Sequence, residues 1–285
     1  MAGQRVAVVT GASSGIGLGT AKALAAKGMR VIGVGRNPQR CAAAEADLRT
    51  GGSDAQMLRA DLSLLAEVDR LTDEIAALTD RIDVLVNNAG SMVAEQVMTP
   101  EGYEANFAAN FIGPFVLTAR LLPLMRKAAA DSPAGSVRIV NTSSDGSEMI
   151  PTLNLADMQN LENWSPGAAY CSGKLANVLH VRALAPRIAG DGIVAHAFHP
   201  GTVDSNFFSH TPQSVRDAYG DQPKLSNAEG ADTAVWLATA EEPGLVSGLY
   251  WYQRALRKPN PVVEDAAFVE AFWQAAETLA GRPGV

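Results

Sequence analysis

The stretch Val6-Ala7-Val8-Val9-Thr10-Gly11-Ala12-Ser13-Ser14-Gly15-Ile16-Gly17 decides the fold. A short β-branched run gives way to glycines and then to an alanine- and leucine-rich segment, so a buried strand hands over to a helix through a tight turn. Gly11, Gly15 and Gly17 allow the sharp turn and let the backbone come close to a ligand. The helix start beyond them offers unpaired N–H groups and a partial positive charge, which suit a pyrophosphate. Ser13, Ser14 and Ile16 belong to the same cradle. The spacing is Gly-x3-Gly-x-Gly, not the Gly-x-Gly-x2-Gly of the standard dinucleotide fingerprint, so the position after a buried strand at the start of the chain carries more weight than the pattern.

Outward from this stretch, short β-branched runs alternate with helical stretches along the whole chain. That alternation is the mark of repeated β-α-β units and a parallel sheet covered on both faces. Strands are predicted over Arg5 to Thr10, Arg30 to Gly35, Ala55 to Ala60, Asp83 to Asn87, Ser136 to Thr142, Ile193 to Phe198 and Ser247 to Tyr252. Helices are predicted over Ile16 to Lys27, Gln39 to Leu48, Leu64 to Thr79, Glu101 to Lys127, Ala168 to Ile188, Ala228 to Ala238 and Glu264 to Leu279. The expectation is one α/β domain over residues 1–285, a Rossmann-type doubly wound parallel sheet of about seven strands with helices on both faces. Pro114, Pro123 and Pro186 fall inside two of the helices and predict bends. Two excursions, 145–167 and 203–227, break the rhythm and are expected to be functional covers or loops.

With 47% apolar and 19% charged residues in 285, the chain has the composition of a globular protein able to bury a sizeable core. Its formal charge of −7 disfavours nucleic acid and anionic lipid as partners. No stretch reads as a run of about 20 apolar residues, and the N-terminus lacks the order of a secretory signal, so no membrane span and a cytoplasmic location are expected. Cys41 and Cys171 have no metal-ligand spacing and read as free thiols; no metal site is expected.

The end of the second strand speaks to the nucleotide. An acidic residue there would bind a ribose 2′-hydroxyl and repel a 2′-phosphate. Here the strand ends Gly35-Arg36-Asn37, with no carboxylate, and Arg36 can pair with a phosphate. NADP (NADPH) is the favoured cofactor, and NAD is possible.

Further motifs follow in order: Asp61-Leu62, Asn87-Asn88-Ala89-Gly90, Asn110, Ser144, Tyr170-x3-Lys174 and Pro200-Gly201-Thr202. Together with Thr10 to Gly17 this ordered set resembles the short-chain dehydrogenase/reductase family along nearly the whole chain. The resemblance implies a cofactor site at Gly11 to Gly17, an adenine contact at Asp61-Leu62, and further cofactor contacts at Asn88, Ala89, Gly90, Tyr170, Lys174, Pro200, Gly201 and Thr202. It also implies hydride transfer between C4 of the nicotinamide and a carbonyl or carbinol carbon. Tyr170 would exchange the proton, Ser144 would bind the substrate oxygen, Lys174 would also hold the nicotinamide ribose, and Asn110 would maintain a water-linked proton path to Lys174. Ser144 is chosen over Ser143, which is taken as structural.

From the residues themselves, Tyr170 and Lys174 are four apart on a predicted helix and share a face. A nearby ammonium favours phenolate and is expected to lower the tyrosine pKa toward working pH, as a general acid/base requires. Gly11-Ala12-Ser13-Ser14-Gly15 also satisfies Gly-x-Ser-x-Gly, which leaves a serine hydrolase using Ser13 as a remote alternative. A protein that binds NADP(H) and senses it without turnover is another. His196 and His199, three apart, point to opposite faces of a strand and indicate neither a metal nor a base.

Ser144 and Tyr170 lie 26 residues apart, about twice the interval associated with the commonest short-chain enzymes. The longer segment, the run Ala169 to Asn177, the His199-Pro200-Gly201 turn and the C-terminal Pro261 to Gly281 resemble the retinol dehydrogenase and protochlorophyllide reductase branch, although the N-terminal membrane anchor of many retinol dehydrogenases is not seen. The first excursion carries Met149, Ile150, Leu153, Leu155, Met158, Leu161 and Trp164, and the second adds Phe207, Phe208 and Tyr219. Such apolar covers suggest a bulky hydrophobic or aromatic alcohol or ketone as substrate. Family habit suggests a homo-oligomer, dimer or tetramer, through the helices bearing Asn110 and Tyr170.

Overall fold

The computed structural model describes residues 3–50, 52–209, 211–219 and 222–285, with the side chains of 208, 218 and 219 left outside that description. Its strands are β1 Val6–Thr10, β2 Arg30–Gly35, β3 Ala55–Arg59, β4 Val84–Asn87, β5 Val137–Thr142, β6 Ile193–His199, β7 Leu249–Tyr252 and β8 Ala255–Leu256. They form one sheet in the order β3-β2-β1-β4-β5-β6-β7-β8. The first seven are parallel. The helices are α1 Gly15–Ala26, α2 Pro38–Arg49, α3 Leu65–Leu78, the single turn α4 Ala105–Phe107, α5 Gly113–Ala130, α6 Pro166–Arg187, α7 Gln213–Tyr219, α8 Asn227–Thr239 and α9 Ala266–Ala280.

Side-chain alternation along the strands divides the interior in two. Val8, Ile32, Leu85 and Ile139 face a core built with Leu71 of α3, Phe115 of α5, Leu179 of α6 and Phe272 of α9. Their neighbours Val9, Val31, Val86 and Val140 face the opposite core, with Leu24 of α1 and Leu237 of α8. Helices therefore cover both faces of a single-domain Rossmann-type sheet. Winding starts at β1 and runs outward through β2 to β3, then resumes on the other side of β1 at β4. This reversal opens a crevice beyond the carboxyl ends of β1 and β4, where open α/β sheets take their ligands.

Several expectations need correction. All seven predicted strands are present, and an eighth, unforeseen one joins them at the edge. β8 is only two residues long and pairs antiparallel with β7 after a turn in which Gln253 (φ 49°) and Arg254 (φ 61°) take left-handed backbone. No Asn-Gly or Asp-Gly marks that hairpin, so its turn chemistry is invisible in the sequence. The predicted helix from Glu101 to Lys127 starts at Ala105 and is interrupted by a π-helical stretch, Ala108–Ile112, before α5. By length and composition the run Ala105–Ala130 is apolar enough to cross a membrane, contrary to expectation, but 72% of its apolar window is buried within the fold. Helix α7 was not expected at all.

Candidate active site

The carboxyl ends of β1, β2, β4, β5 and β6 surround a cavity of about 430 Å³. The turn after β1 forms one end of it. Gly11 (φ 68°) and Gly15 (φ 59°) adopt left-handed backbone that favours glycine. A Cβ on Gly17 would stand 2.3 Å from the Gly11 carbonyl oxygen and 2.5 Å from Asn88 Nδ2, so no side chain fits there. Ser14 occupies the N-cap of α1 without making a capping bond, and the first turn holds no acidic residue. The leading N–H groups of α1 are therefore without a side-chain cap and open beside the cavity, which Ser13, Ser14 and Ile16 line.

Thr10 ties this cradle to β4. Its Oγ1 accepts from the N–H groups of Asn88 (2.9 Å) and Ala89 (3.0 Å), and Asn88 Nδ2 donates to the Thr10 carbonyl (3.0 Å). A Cβ on the next residue, Gly90, would lie 2.4 Å from Asn110 Oδ1 and 3.0 Å from Lys174 Nζ. Beside the cradle, where Gly35 packs against Ser13, Arg36, with its side chain 64% exposed, faces Asp61 across 3.6 Å, and Arg40 and Leu62 line the same cavity. Asp61 also accepts from the Ser63 backbone and hydroxyl. Opposite, Pro200, Gly201 (φ 84°) and Thr202 follow β6, and the Thr202 carbonyl accepts from Leu225 N–H at 2.8 Å.

Ser165 accepts from Ala168 N–H and Pro166 takes the first helical position, which sets where α6 begins. From that start Tyr170 and Lys174 project together. Lys174 Nζ is 5.4 Å from the centre of the Tyr170 ring and donates to the Thr142 carbonyl at the end of β5 (3.1 Å). Ser144 Oγ donates to Asp145 Oδ1 (2.7 Å) and accepts from Gly146 N–H (3.1 Å), and it lies close enough to the Tyr170 phenol to act on its pKa. Ser143 Oγ instead donates to the Lys174 carbonyl (2.7 Å) in the interior.

Burial moves the two helix groups apart. It raises the Tyr170 phenol above its ordinary value, a rise that the Ser144 hydroxyl opposes, and it pushes the Lys174 ammonium down to about 8. The expected lowering of the Tyr170 pKa is thus not what the protein by itself shows. Desolvation of the phenolate sets the direction, and Lys174 spends a hydrogen bond on Thr142.

Asn110 lies within the π-helical stretch. Its Nδ2 donates to the Ser91 carbonyl (2.8 Å) and to Asn106, its buried Oδ1 has no partner, and its backbone carbonyl accepts from Asn177 Nδ2 (3.0 Å). In an α-helix that carbonyl would take the N–H of the residue four ahead. That residue is Pro114, which has none.

A family model described as short chain dehydrogenase matches residues 5–215. The chain belongs to the short-chain dehydrogenase family. Retinol dehydrogenase 12 of Homo sapiens is 33% identical over 280 residues, covering 97% of this chain and 86% of that protein. Among solved structures, the Pseudomonas aeruginosa RhlG/NADP active-site complex is similar at 29% identity and a TM-score of 0.69, covering 86% of this chain and 93% of that one. The 3-ketoacyl-(acyl-carrier-protein) reductase of Brucella melitensis complexed with NADH is similar at 25% and 0.68, covering 86% and 95%. The protein is accordingly an oxidoreductase of the alcohol dehydrogenase/reductase kind, in the retinol dehydrogenase-like branch, with a fold that binds NAD(P).

The residues of this short-chain dehydrogenase fit such a group: glycines stand where any Cβ would collide, α1 is uncapped beside the cavity, and the Asn110 Oδ1 orphan lies next to Gly90 and Lys174. Of the seven apolar residues in the first excursion, only Met149 reaches the cavity. Leu153 and Met158 are buried in the main core, and Ile150 and Leu155 pack against it. From the second excursion Phe207 packs against Tyr170 with the rings tilted by 54° and their centres 5.3 Å apart, while the Phe208 and Tyr219 side chains lie outside the described residues. Sequence reasoning missed Asp145 and also Tyr250, whose hydroxyl donates to the Ser144 carbonyl at 3.0 Å. It missed Asn177 as well, although Pro114 four residues after Asn110 is a readable signal that this carbonyl needs another donor. His196 is a core residue bonded to Trp251 and Pro243, and His199 lies beside Asp145, to whose backbone N–H its Nδ1 is bonded; no cluster that could hold a metal occurs among the described residues.

Proposed function

We propose that this protein is an NADP(H)-dependent oxidoreductase that interconverts a bulky hydrophobic or aromatic alcohol and its ketone or aldehyde, with Tyr170 as general acid/base. The observation that carries the proposal is the convergence of Ser144, Tyr170 and Lys174 on the cavity whose other end is the glycine cradle. When bound, a nicotinamide dinucleotide supplies the hydride. The chain's own residues do the rest. The cradle and the start of α1 take the pyrophosphate, Arg36 with Arg40 meets the 2′-phosphate, and Lys174 holds the ribose. Tyr170 keeps a proton at its phenol oxygen, which the raised pKa favours, and passes it to the substrate oxygen placed by Ser144. Phe207 and Met149 supply apolar walls, and the likeness to a retinol dehydrogenase agrees with a large apolar substrate.

Following NADPH absorbance with a panel of bulky ketones tests this directly. Turnover is expected, and Tyr170→Phe should lower it about 10²- to 10⁴-fold while NADPH affinity stays the same. Tight NADPH binding with no turnover on any ketone, unchanged in Tyr170→Phe, would instead mark a sensor. For the hydrolase alternative nothing favourable is found, since Ser13 hydrogen-bonds no histidine among the described residues. A cytoplasmic location is part of the same proposal, and recovery of the full chain in the membrane pellet on cell fractionation would overturn it.

A further inference from the structure

The substrate end of the cavity holds a carboxylate with no basic partner among the described residues. Asp145 follows Ser144, is partly exposed and lines the cavity. It forms no ion pair among the described residues. Arg257, whose charge it feels, is taken by Glu148 in a bidentate pair of 2.6 and 2.9 Å. His199 does not neutralise it either, because burial lowers the His199 pKa and leaves the ring uncharged near neutrality. Lys174 is turned to Thr142. One carboxylate oxygen accepts from Ser144, and the other has no hydrogen-bond donor among the described residues. That second oxygen is open to the cavity, where it can accept a hydrogen bond from a ligand donor.

Asp145 Oδ1 is 2.7 Å from Ser144 Oγ, and both residues line the cavity with Tyr170. A substrate carbonyl oxygen that takes the Ser144 proton away from Asp145 frees both carboxylate oxygens, and substituents of the neighbouring carbon then lie on the Asp145 side of the cavity. A hydroxyl suits that position better than an ammonium, since Lys174 already places one cation in the same cavity and a second would have to be desolvated beside it. We propose that Asp145 is a specificity-determining residue that accepts a hydrogen bond from a hydroxyl on the carbon next to the reacting one, so that preferred substrates are bulky α-hydroxyketones and the corresponding vicinal diols. This rests on the carbonyl chemistry proposed above.

The test compares 2-hydroxy-1,2-diphenylethanone with 1,2-diphenylethanone, which lacks only the hydroxyl. Taking kcat/KM for each with NADPH in wild type and in Asp145→Ala cancels the intrinsic reactivity difference between the two ketones. The preference for the hydroxyketone should fall about tenfold or more in Asp145→Ala, as expected for a lost hydrogen bond to a charged acceptor, and by less in Asp145→Asn, which keeps an acceptor oxygen. If both ketones slow by the same factor, Asp145 acts only by holding Ser144 and the proposal is overturned. Should Asp145→Ala fail to fold, an unchanged ratio in Asp145→Asn overturns it equally. If neither ketone turns over, the proposed function fails, and calorimetric affinities of the two ketones for the NADPH-loaded protein, wild type against variant, decide the role of Asp145 on the same ratio.

Discussion

At the cradle end of the cavity, Gly11, Gly15 and Gly17 leave bare backbone within one short segment, and the ligand surface is made of N–H groups. At the catalytic end, Ser144, Tyr170, Lys174 and Tyr250 come from three distant segments, and the surface is made of side chains whose ionisation burial has altered. Local sequence can build the first kind of site, since only conformational freedom and a helix start are required. The second depends on a packed sheet to bring its parts together and on low dielectric to tune them. The two ends should therefore respond to different perturbations.

The largest effect on nucleotide affinity is expected at the cradle. Gly17→Val would drive a side chain into the Gly11 carbonyl, and NADPH affinity should fall about tenfold to a hundredfold, with a stability loss of about 1–3 kcal/mol. Fluorescence titration and thermal unfolding would check both, and unchanged affinity would show that bare backbone is not what holds the nucleotide.

At the catalytic end, Lys174→Met should abolish turnover yet stabilise the nucleotide-free protein. Folding lowers the Lys174 pKa from 10.5 to about 8. The unfolded chain then binds more protons between those values, so stability rises with pH through that window, and the full cost of the buried ammonium, up to about 3 kcal/mol, is present below pH 8. Denaturation at pH 7 should favour the methionine variant, with the difference shrinking toward pH 10.5. A variant less stable at pH 7 would mean that the Thr142 hydrogen bond outweighs desolvation.

Beside the cradle, Arg36→Asp should weaken NADPH binding about tenfold and leave NADH binding little changed, since a charge-assisted phosphate contact is lost and Asp61 gains a like-charged neighbour. Equal affinities for NADPH before and after the change would remove Arg36 from the phosphate site. The smallest effect is predicted for Phe207→Ala, where loss of one ring contact with Tyr170 should raise KM for a bulky ketone about threefold with kcat nearly constant. A fall in kcat instead would show that Phe207 positions the phenol.

Much of the fold was legible because period-2 and period-3.6 apolar patterns report burial directly, and β1 with its glycines reads as strand, turn and helix without help. β8 was not, because two exposed residues after a Gln-Arg turn carry no periodicity. The excursion from 145 to 167 misled for a related reason. Apolar composition says that Leu153 and Met158 are buried, but not whether against a substrate or against the core, and the structure puts them in the core. The interruption at Ala108–Ile112 was half legible, since Pro114 announces a missing donor without saying how the helix responds.

The sequence by itself determined the parallel sheet, the glycine turn at its centre and the shared face of Tyr170 and Lys174, all of which follow from spacing along one chain segment. Only the tertiary structure decided that Ser144 spends its proton on Asp145, that Asn177 serves the Asn110 carbonyl, and that Tyr170 is raised rather than lowered. Those outcomes depend on which donors and acceptors meet across the fold and on how much water is excluded where they do, and neither quantity is written in the order of residues.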